Sequence, residues 1–396
     1  MKILLSLFLL SISISAIGIE LAGIFFSVSI FSYLIFVLFS LKTVSIKSIP
    51  LPGLFLLIFM FFCVVSNLFK QPLSSYIQPL CMLFFFSSLF LSNIYKRVDT
   101  ASLGAALRYS YCAVVITVLL EVLFYLVYGL NPPIYSTLGI HGSSIEYYGM
   151  PRLRGFQLEP SILSYVAIFY FLAFNRISKI IDIPSFFTIT PILLLVTTMA
   201  ASGFIFLFYL GFSFLSSGMP LRYIIKNTFS SFIVVSIFLA IGAYFTQHIL
   251  KILEKMLSIY DVIQNSNLGG SVGYRVNSLF EPFEFFANGD IFEKLTGTGF
   301  SNYSEYIYEK YKHLEYSGFA SGDLNSILSA VAISTGLFGL VSFLLFIYFG
   351  FRDKSVSMLT DQGFIFVVFL MLSYGNLFAP FLWVMLFTLF ILNKAR

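Results

Sequence analysis

Charge is what this chain lacks most. Only 10% of its 396 residues are Asp, Glu, Lys or Arg, while hydrophobic residues make up 59%. A soluble domain carries about 25% charged residues, so a water-facing globular fold of this length is excluded. Cysteine is scarce too. Cys63, Cys81 and Cys112 lie in or against apolar stretches and form no motif. They read as buried packing residues, not as a disulfide framework. Also missing are a Gly-rich phosphate loop ending in Lys-Ser or Lys-Thr, an Asp-x-Asp pair and a His-Glu-x-x-His helix. No cofactor and no metal follow from any motif. The reaction, if there is one, must draw on an ion gradient or on a substrate already activated and embedded in a membrane.

What the chain has instead is twelve apolar stretches, at about 3–19, 21–41, 52–69, 76–94, 106–130, 161–174, 184–200, 203–217, 229–247, 324–350, 362–374 and 376–393. About 20 apolar residues cross a bilayer core as a helix. Lipid offers no partner to an unpaired backbone amide, so the spans must be helices. The expected fold is all-α: one polytopic membrane domain over 1–396 with about 12 transmembrane helices. Lys2 precedes the first stretch, but no small-x-small cleavage site follows it and a second stretch comes at once, so it reads as a span and not a signal peptide. The pairs at 184–217 and 362–393 are short, and each fits either two spans or a re-entrant hairpin. Fifty Phe and 24 Tyr suit lipid-facing surfaces and interfacial belts.

The connections alternate in charge. Every second one, with both termini, collects fourteen basic residues against four acids, a net +10. The remaining nine basic and fourteen acidic residues give −5, which together account for the formal +5. Lys and Arg accumulate in cytoplasmic loops, so both termini are expected in the cytoplasm. The pI of about 8.9 is then a matter of topology and not of nucleic-acid binding.

Two sizeable external loops follow, 131–160 and 248–323. The first closes with Arg152-Leu-Arg154-Gly-Phe-Gln-Leu-Glu159-Pro160. Arginines are disfavoured on this face, and a guanidinium that forks two hydrogen bonds suits a pyrophosphate. Contact with lipid headgroups, or an ion pair with Glu159, serves equally. Glu159 can act as a general base if partly buried, or simply cap the next helix. In the second loop, 249–263 is amphipathic and reads as an interfacial helix. Asn265 to Gly273 reads as a flexible connection and 301–311 as a short helix. Arg275, between that connection and Glu281, is either a second phosphate ligand or a brace for the loop. Glu281 with Glu284 is spaced like a solvated helix pair. Asp323 is the alternative base. His141 and His313 are isolated loop histidines, able to titrate near neutrality. Glu121 is the one acid deep in a span, a functional candidate by default and equally a structural hydrogen-bonding group.

The whole pattern resembles the Wzy-type O-antigen polymerases, membrane glycosyltransferases of a GT-C-like class related to the O-antigen ligases. The resemblance rests on Arg154-Gly-Phe-Gln-Leu-Glu159-Pro160-Ser161 entering a central span, on Gly297-Thr-Gly299-Phe300, and on Asn325-Ser-Ile-Leu followed by Gly336-Leu-Phe-Gly339. Related ligases often carry a His just before that Asn, where this chain has Leu324. The arginine-with-glycine spacing described for polymerase loops is also absent. The resemblance implies a bacterial inner-membrane enzyme that joins undecaprenyl-pyrophosphate-linked repeat units at the periplasmic face, with a chain-length regulator as a partner protein. It implies Arg152, Arg154 and Arg275 on the pyrophosphates, Asp323 or Glu159 as the base, and Asn325, Glu281 and His313 as further site candidates. A ligase, and a lipid-linked oligosaccharide flippase or transporter, are the competing readings.

Overall fold

The computed structural model describes residues 2–14, 17–21, 24–27, 29–44, 49–68, 73–128, 146–147, 150–151, 153–157, 159–198, 200–216, 270–299, 306–308, 324–353, 355–356, 358 and 361–394. Helices dominate: α1 Lys2–Ser13, α2 Ser29–Leu41, α3 Leu51–Leu68, α4 Leu73–Leu91, α5 Thr100–Tyr128, α6 Pro160–Ile177, α7 Ser185–Thr197, α8 Ala201–Ser216, α9 Gly270–Asn288, α10 Ile291–Thr296, α11 Ile327–Phe351, α12 Gln362–Ser373 and α13 Pro380–Lys394. Among the described residues four helices, α3, α5, α6 and α11, are long and apolar enough to cross a bilayer, and several shorter apolar helices accompany them. This is a helical membrane protein.

The first two expected spans are redrawn. The stretch 3–19 is not one helix. α1 stops at Ser13, and Gly18–Leu21 (β1) pairs antiparallel with Ile24–Ser27 (β2) before α2 begins. Ile17 and Ile19 are β-branched and flank Gly18, a combination that favours strand over helix. A second short hairpin pairs Glu146–Tyr147 (β3) with Met150–Pro151 (β4).

The interior is built around α6 and α13. α13 is buried from Phe381 to Leu392, and α6 nearly throughout, as expected of helices that are apolar on every face. Around them phenylalanine fills the core as much as the lipid surface. Phe8 stacks on Phe36 at 4.3 Å, and Phe90 meets Phe346, Trp383, Phe387 and Phe390 edge-on or tilted. Trp383 is fully buried and donates its indole N–H to the Leu377 carbonyl at 2.8 Å. α3 and the second half of α11 run antiparallel, registered by Phe62 on Phe338, Phe59 on Phe343 and Phe55 on Phe349. Of the cysteines, Cys63 is buried as expected. Cys81 and Cys112 instead face outward from the bundle, where apolar residues meet lipid as readily as they pack inside.

One end of the bundle is tied by charge. Asp361 caps α12, accepting the Phe364 N–H, and is buried at 2% exposure. Its carboxylate takes Arg176 at the end of α6 (3.3 Å), Arg352 at the end of α11 (3.1 Å) and the Asp353 N–H (2.6 Å). Asn393 of α13 reaches the Gly350 and Arg352 carbonyls nearby. The loops after α2 and α4 meet each other through the Val44–Ser92 bridge and the Asn93 N–H to Thr43. Connections that the charge pattern assigns to one side thus do share contacts.

Removing one partner of a buried ionic cluster leaves the others uncompensated, at a cost of about 3–5 kcal/mol. Asp361→Asn should therefore lower the melting temperature in detergent clearly. Exposed Asp182→Asn, in the connection after α6, should leave it unchanged.

Candidate functional site

The polar residues of interest gather at the opposite end, in three adjoining junctions. The first is the entry to α6. Arg154, Gly155, Phe156 and Gln157 are buried, and the Gln157 N–H closes a turn onto the Arg154 carbonyl at 3.1 Å. The turn is docked from two sides. Glu121 of α5 accepts the backbone N–H of Arg154 at 2.8 Å and of Gly155 at 2.7 Å. The Gln157 amide donates to the Ile12 carbonyl in the last turn of α1 at 2.6 Å. The one acid deep in a span is thus an acceptor for two backbone N–H groups. The chain then passes through Glu159 in extended conformation, with Pro160 opening the helix. Glu159 occupies the cap position, yet its carboxylate takes no backbone N–H. It is exposed and accepts the Ser161 hydroxyl at 2.9 Å.

The second junction is the start of α11. Ser326 caps the helix by accepting the Ser329 N–H at 3.2 Å, and the Ile327 N–H donates to the Tyr374 carbonyl at 2.8 Å. The Asn325 N–H donates to the hydroxyl of Ser278 on α9 at 3.1 Å. From α6, the Tyr165 hydroxyl donates to Ser373, and its ring meets Tyr374 edge-on at 6.1 Å. Burial pushes the Tyr374 hydroxyl well above its ordinary value, and the nearby negative charge of Glu159 pushes the same way. Glu159 and Asn325, distant in sequence, share this junction.

The third junction is a break in α11. Gly336, at φ +65°, leaves helical geometry and divides the helix. Into the break comes Gly297-Thr298-Gly299, directly after α10, whose start is capped by Asp290. The Thr298 N–H donates to the Ile333 carbonyl at 2.8 Å, and the Gly299 N–H to the Ser334 carbonyl at 2.9 Å. Gly297 takes φ +79°, and a Cβ there would run into the Ser334 carbonyl. Gly299 lies against Asn67 at the end of α3, so the strap joins α10, α11 and α3.

The remaining candidates divide plainly. Glu281 is not a solvated partner of Glu284: it is buried at 1% on α9, beside Ser278 and Phe285, because that face packs on Leu324 and Ile333. Arg275 lies within helix α9, which begins at Gly270, inside the stretch expected to be flexible. Its side chain, and Arg152, Asp323, His141 and His313, lie outside the described residues, as do the interfacial stretch 249–263 and the span at 229–247. Of the short helix expected over 301–311, residues 306–308 are described and are helical. Tyr165, Ser278, Ser373 and Tyr374 are not among the sequence candidates. The Tyr374-Gly375-Asn376 interruption between two apolar runs marks the place of Ser373 and Tyr374 but no role for either, and nothing in the sequence marks Tyr165 or Ser278.

Comparison with known proteins finds no matching family model, and no curated protein is significantly similar to the chain. Fold and site together define a helical membrane protein with a hydrogen-bonded polar junction at one end and a buried Arg–Asp–Arg cluster at the other.

Gly297→Ala adds a Cβ where the Ser334 carbonyl sits and forces an L side chain to positive φ, at about 1–3 kcal/mol for the backbone alone. It should loosen the strap, read as faster proteolysis within 289–299 and a lower melting temperature. Ala at Gly211, whose Cβ would meet open space, should change neither.

Proposed function

We propose that the protein is a polymerase of the Wzy type, a membrane glycosyltransferase that joins undecaprenyl-pyrophosphate-linked repeat units of a surface polysaccharide. In this reading it lies in a bacterial inner membrane with both termini in the cytoplasm, on the strength of the +10 against −5 charge division. The observation that carries it is convergence. The stretches bearing the resemblance, 154–161, 297–299, 325–328 and 336–339, are scattered through the sequence and meet at one end of the bundle around α11.

The reaction needs little from the protein beyond positioning and charge. A hydroxyl of the acceptor sugar attacks the anomeric carbon of the donor. The new glycosidic C–O bond forms as the bond to the pyrophosphate oxygen breaks, and the polyprenyl pyrophosphate leaves with the bonding electrons. The acceptor proton passes to a carboxylate, Glu159 or Asp323. Arg152, Arg154 and Arg275 are the proposed ligands of the two pyrophosphates. Arg154 is buried, so any part it plays is played from inside its docked turn. A chain-length regulator is the proposed protein partner.

The break in α11 favours a second reading, since transporters use discontinuous helices to present bare carbonyls to ions or substrates. Here, however, the Ile333 and Ser334 carbonyls already hold Thr298 and Gly299. That supports an enzyme with a fixed external wall over a lipid-linked oligosaccharide flippase. Leu324, where related ligases often have His, supports a polymerase over a ligase.

Glu159→Gln and Asp323→Asn keep size and remove proton acceptance. In proteoliposomes supplied with lipid-linked repeat units, one of them should slow polymerisation by about 100- to 10,000-fold. Normal rates in both variants would show that neither carboxylate is the base.

A further inference from the structure

The α9–α10 segment belongs by sequence to the large loop, yet it exposes large apolar side chains. Leu279 (39%), Phe280 (52%), Phe283 (71%), Ile291 (75%) and Phe292 (50%) are all open on the surface of the molecule. On a helix each residue turns by about 100°, and over 278–288 that divides α9 into three sectors. Ser278, Glu281 and Phe285 face the protein, packed towards Leu324 and Ile333. Leu279, Phe280, Phe283 and Ala287 form an exposed sector of apolar side chains, and Glu284 and Asn288 a separate exposed polar one. A helix packed on a protein in water has two sectors. A third, apolar and open, needs a third medium.

The structure says which medium. α10 is fastened to α9 by Lys294, whose ammonium donates to the Ala287 carbonyl at 3.0 Å. It is fastened to the break of α11 by the Gly297–Gly299 strap. Immediately beyond Gly336, α11 exposes Leu337, Phe338, Val341 and Leu344, each between 42% and 45%. These residues belong to a helix long and apolar enough to cross a bilayer, and a spanning helix turns its exposed apolar face to lipid chains. The apolar surface of α9–α10 therefore continues the lipid-facing surface of α11.

We propose that α9 and α10 form a membrane-embedded bracket. Its aromatic sector is sunk among the acyl chains at the edge of the bilayer, while Glu284 and Asn288 turn to the water and headgroups. The occupant of the exposed face is the lipid of the protein's own membrane, and neither a second protein nor solvent. Arg275 lies on the same helix, two turns before Phe283. The bracket thus holds that arginine's backbone at headgroup depth, the level at which the phosphates of membrane lipids lie. The inference rests on membrane embedding alone and not on the glycosyltransferase reading.

The test is spin-label accessibility in the full-length protein reconstituted into liposomes. Exposed Cys81 and Cys112 are first replaced by Ser, and buried Cys63 is kept. Single cysteines then replace Phe283, Ile291, Ala287 and Glu284 in turn. Ala287, with a small exposed side chain in the same sector, guards against a variant that disturbs the fold. At Phe283, Ile291 and Ala287 the label should relax several-fold more strongly with oxygen, which partitions into lipid, than with a water-soluble nickel chelate. At Glu284 the order should reverse. Nickel accessibility at all four positions would place the face in water and overturn the proposal. Shielding of the first three from both reagents would mean that a protein covers them, and would overturn it equally.

Discussion

A backbone carbonyl inside a membrane protein has no water to turn to, and the break at Gly336 releases carbonyls in the middle of an otherwise apolar helix. The arrangement at this end of the molecule follows from how they are satisfied. Ile333 and Ser334 accept from Thr298 and Gly299, so a segment from a distant part of the chain becomes part of the helix it interrupts. That pairing fixes α10 on α11 and sets Gly299 against Asn67 of α3. It also leaves the first half of α11 free to start elsewhere, at Tyr374, where Asn325 and Ser326 enter. Without the strap the two halves of α11 would lack their common anchor.

The other end is held by a different device with a similar logic. Asp361 gathers two arginines from separate helices and two backbone N–H groups, so the ends of α6 and α11 meet the start of α12. Between these two fixed ends lie α6 and α13, buried almost completely and packed mainly through apolar side chains, with a few hydrogen bonds such as Tyr170 to Ser110 among them. Polar contacts thus set the register, and apolar contacts fill the space between. Glu121 shows the same division inside one helix. Its carboxylate holds the turn that carries Arg154, while the residues around it on α5 pack or face lipid.

Hydropathy suffices to recognise a helical membrane protein, and most helix positions follow from it, because lipid leaves a buried backbone little alternative. It fails where an apolar run changes conformation without changing polarity. Gly18 and Gly23 interrupt a stretch whose neighbours are Ile and Phe, so β1 and β2 are hidden within two apparent spans. Gly336 is invisible for the same reason: Gly-Leu-Phe-Gly scores as apolar whether or not it is helical. Among the junction residues, Glu159 is legible from sequence because it stands at a helix start, and Asn325 through the resemblance that Asn325-Ser-Ile-Leu carries. Glu281 is misjudged as solvated, since spacing identifies a shared face but not what that face meets. Tyr374 and Tyr165 are overlooked because a tyrosine in a chain with 24 of them carries no signal until its neighbours are known.

Physically, a polymerase of this kind asks for a rigid end at which lipid-linked substrates can be aligned. The junctions at Arg154, Asn325 and Gly297 offer hydrogen-bonded backbone there. The central claim is that this end serves chain growth and neither export nor final attachment. The most direct measurement is the length distribution of the surface polysaccharide, compared between cells that make the protein and otherwise identical cells that do not. Loss of the ladder with single-repeat caps retained is the predicted result. Loss of every cap, or a ladder that persists unchanged, would contradict the account.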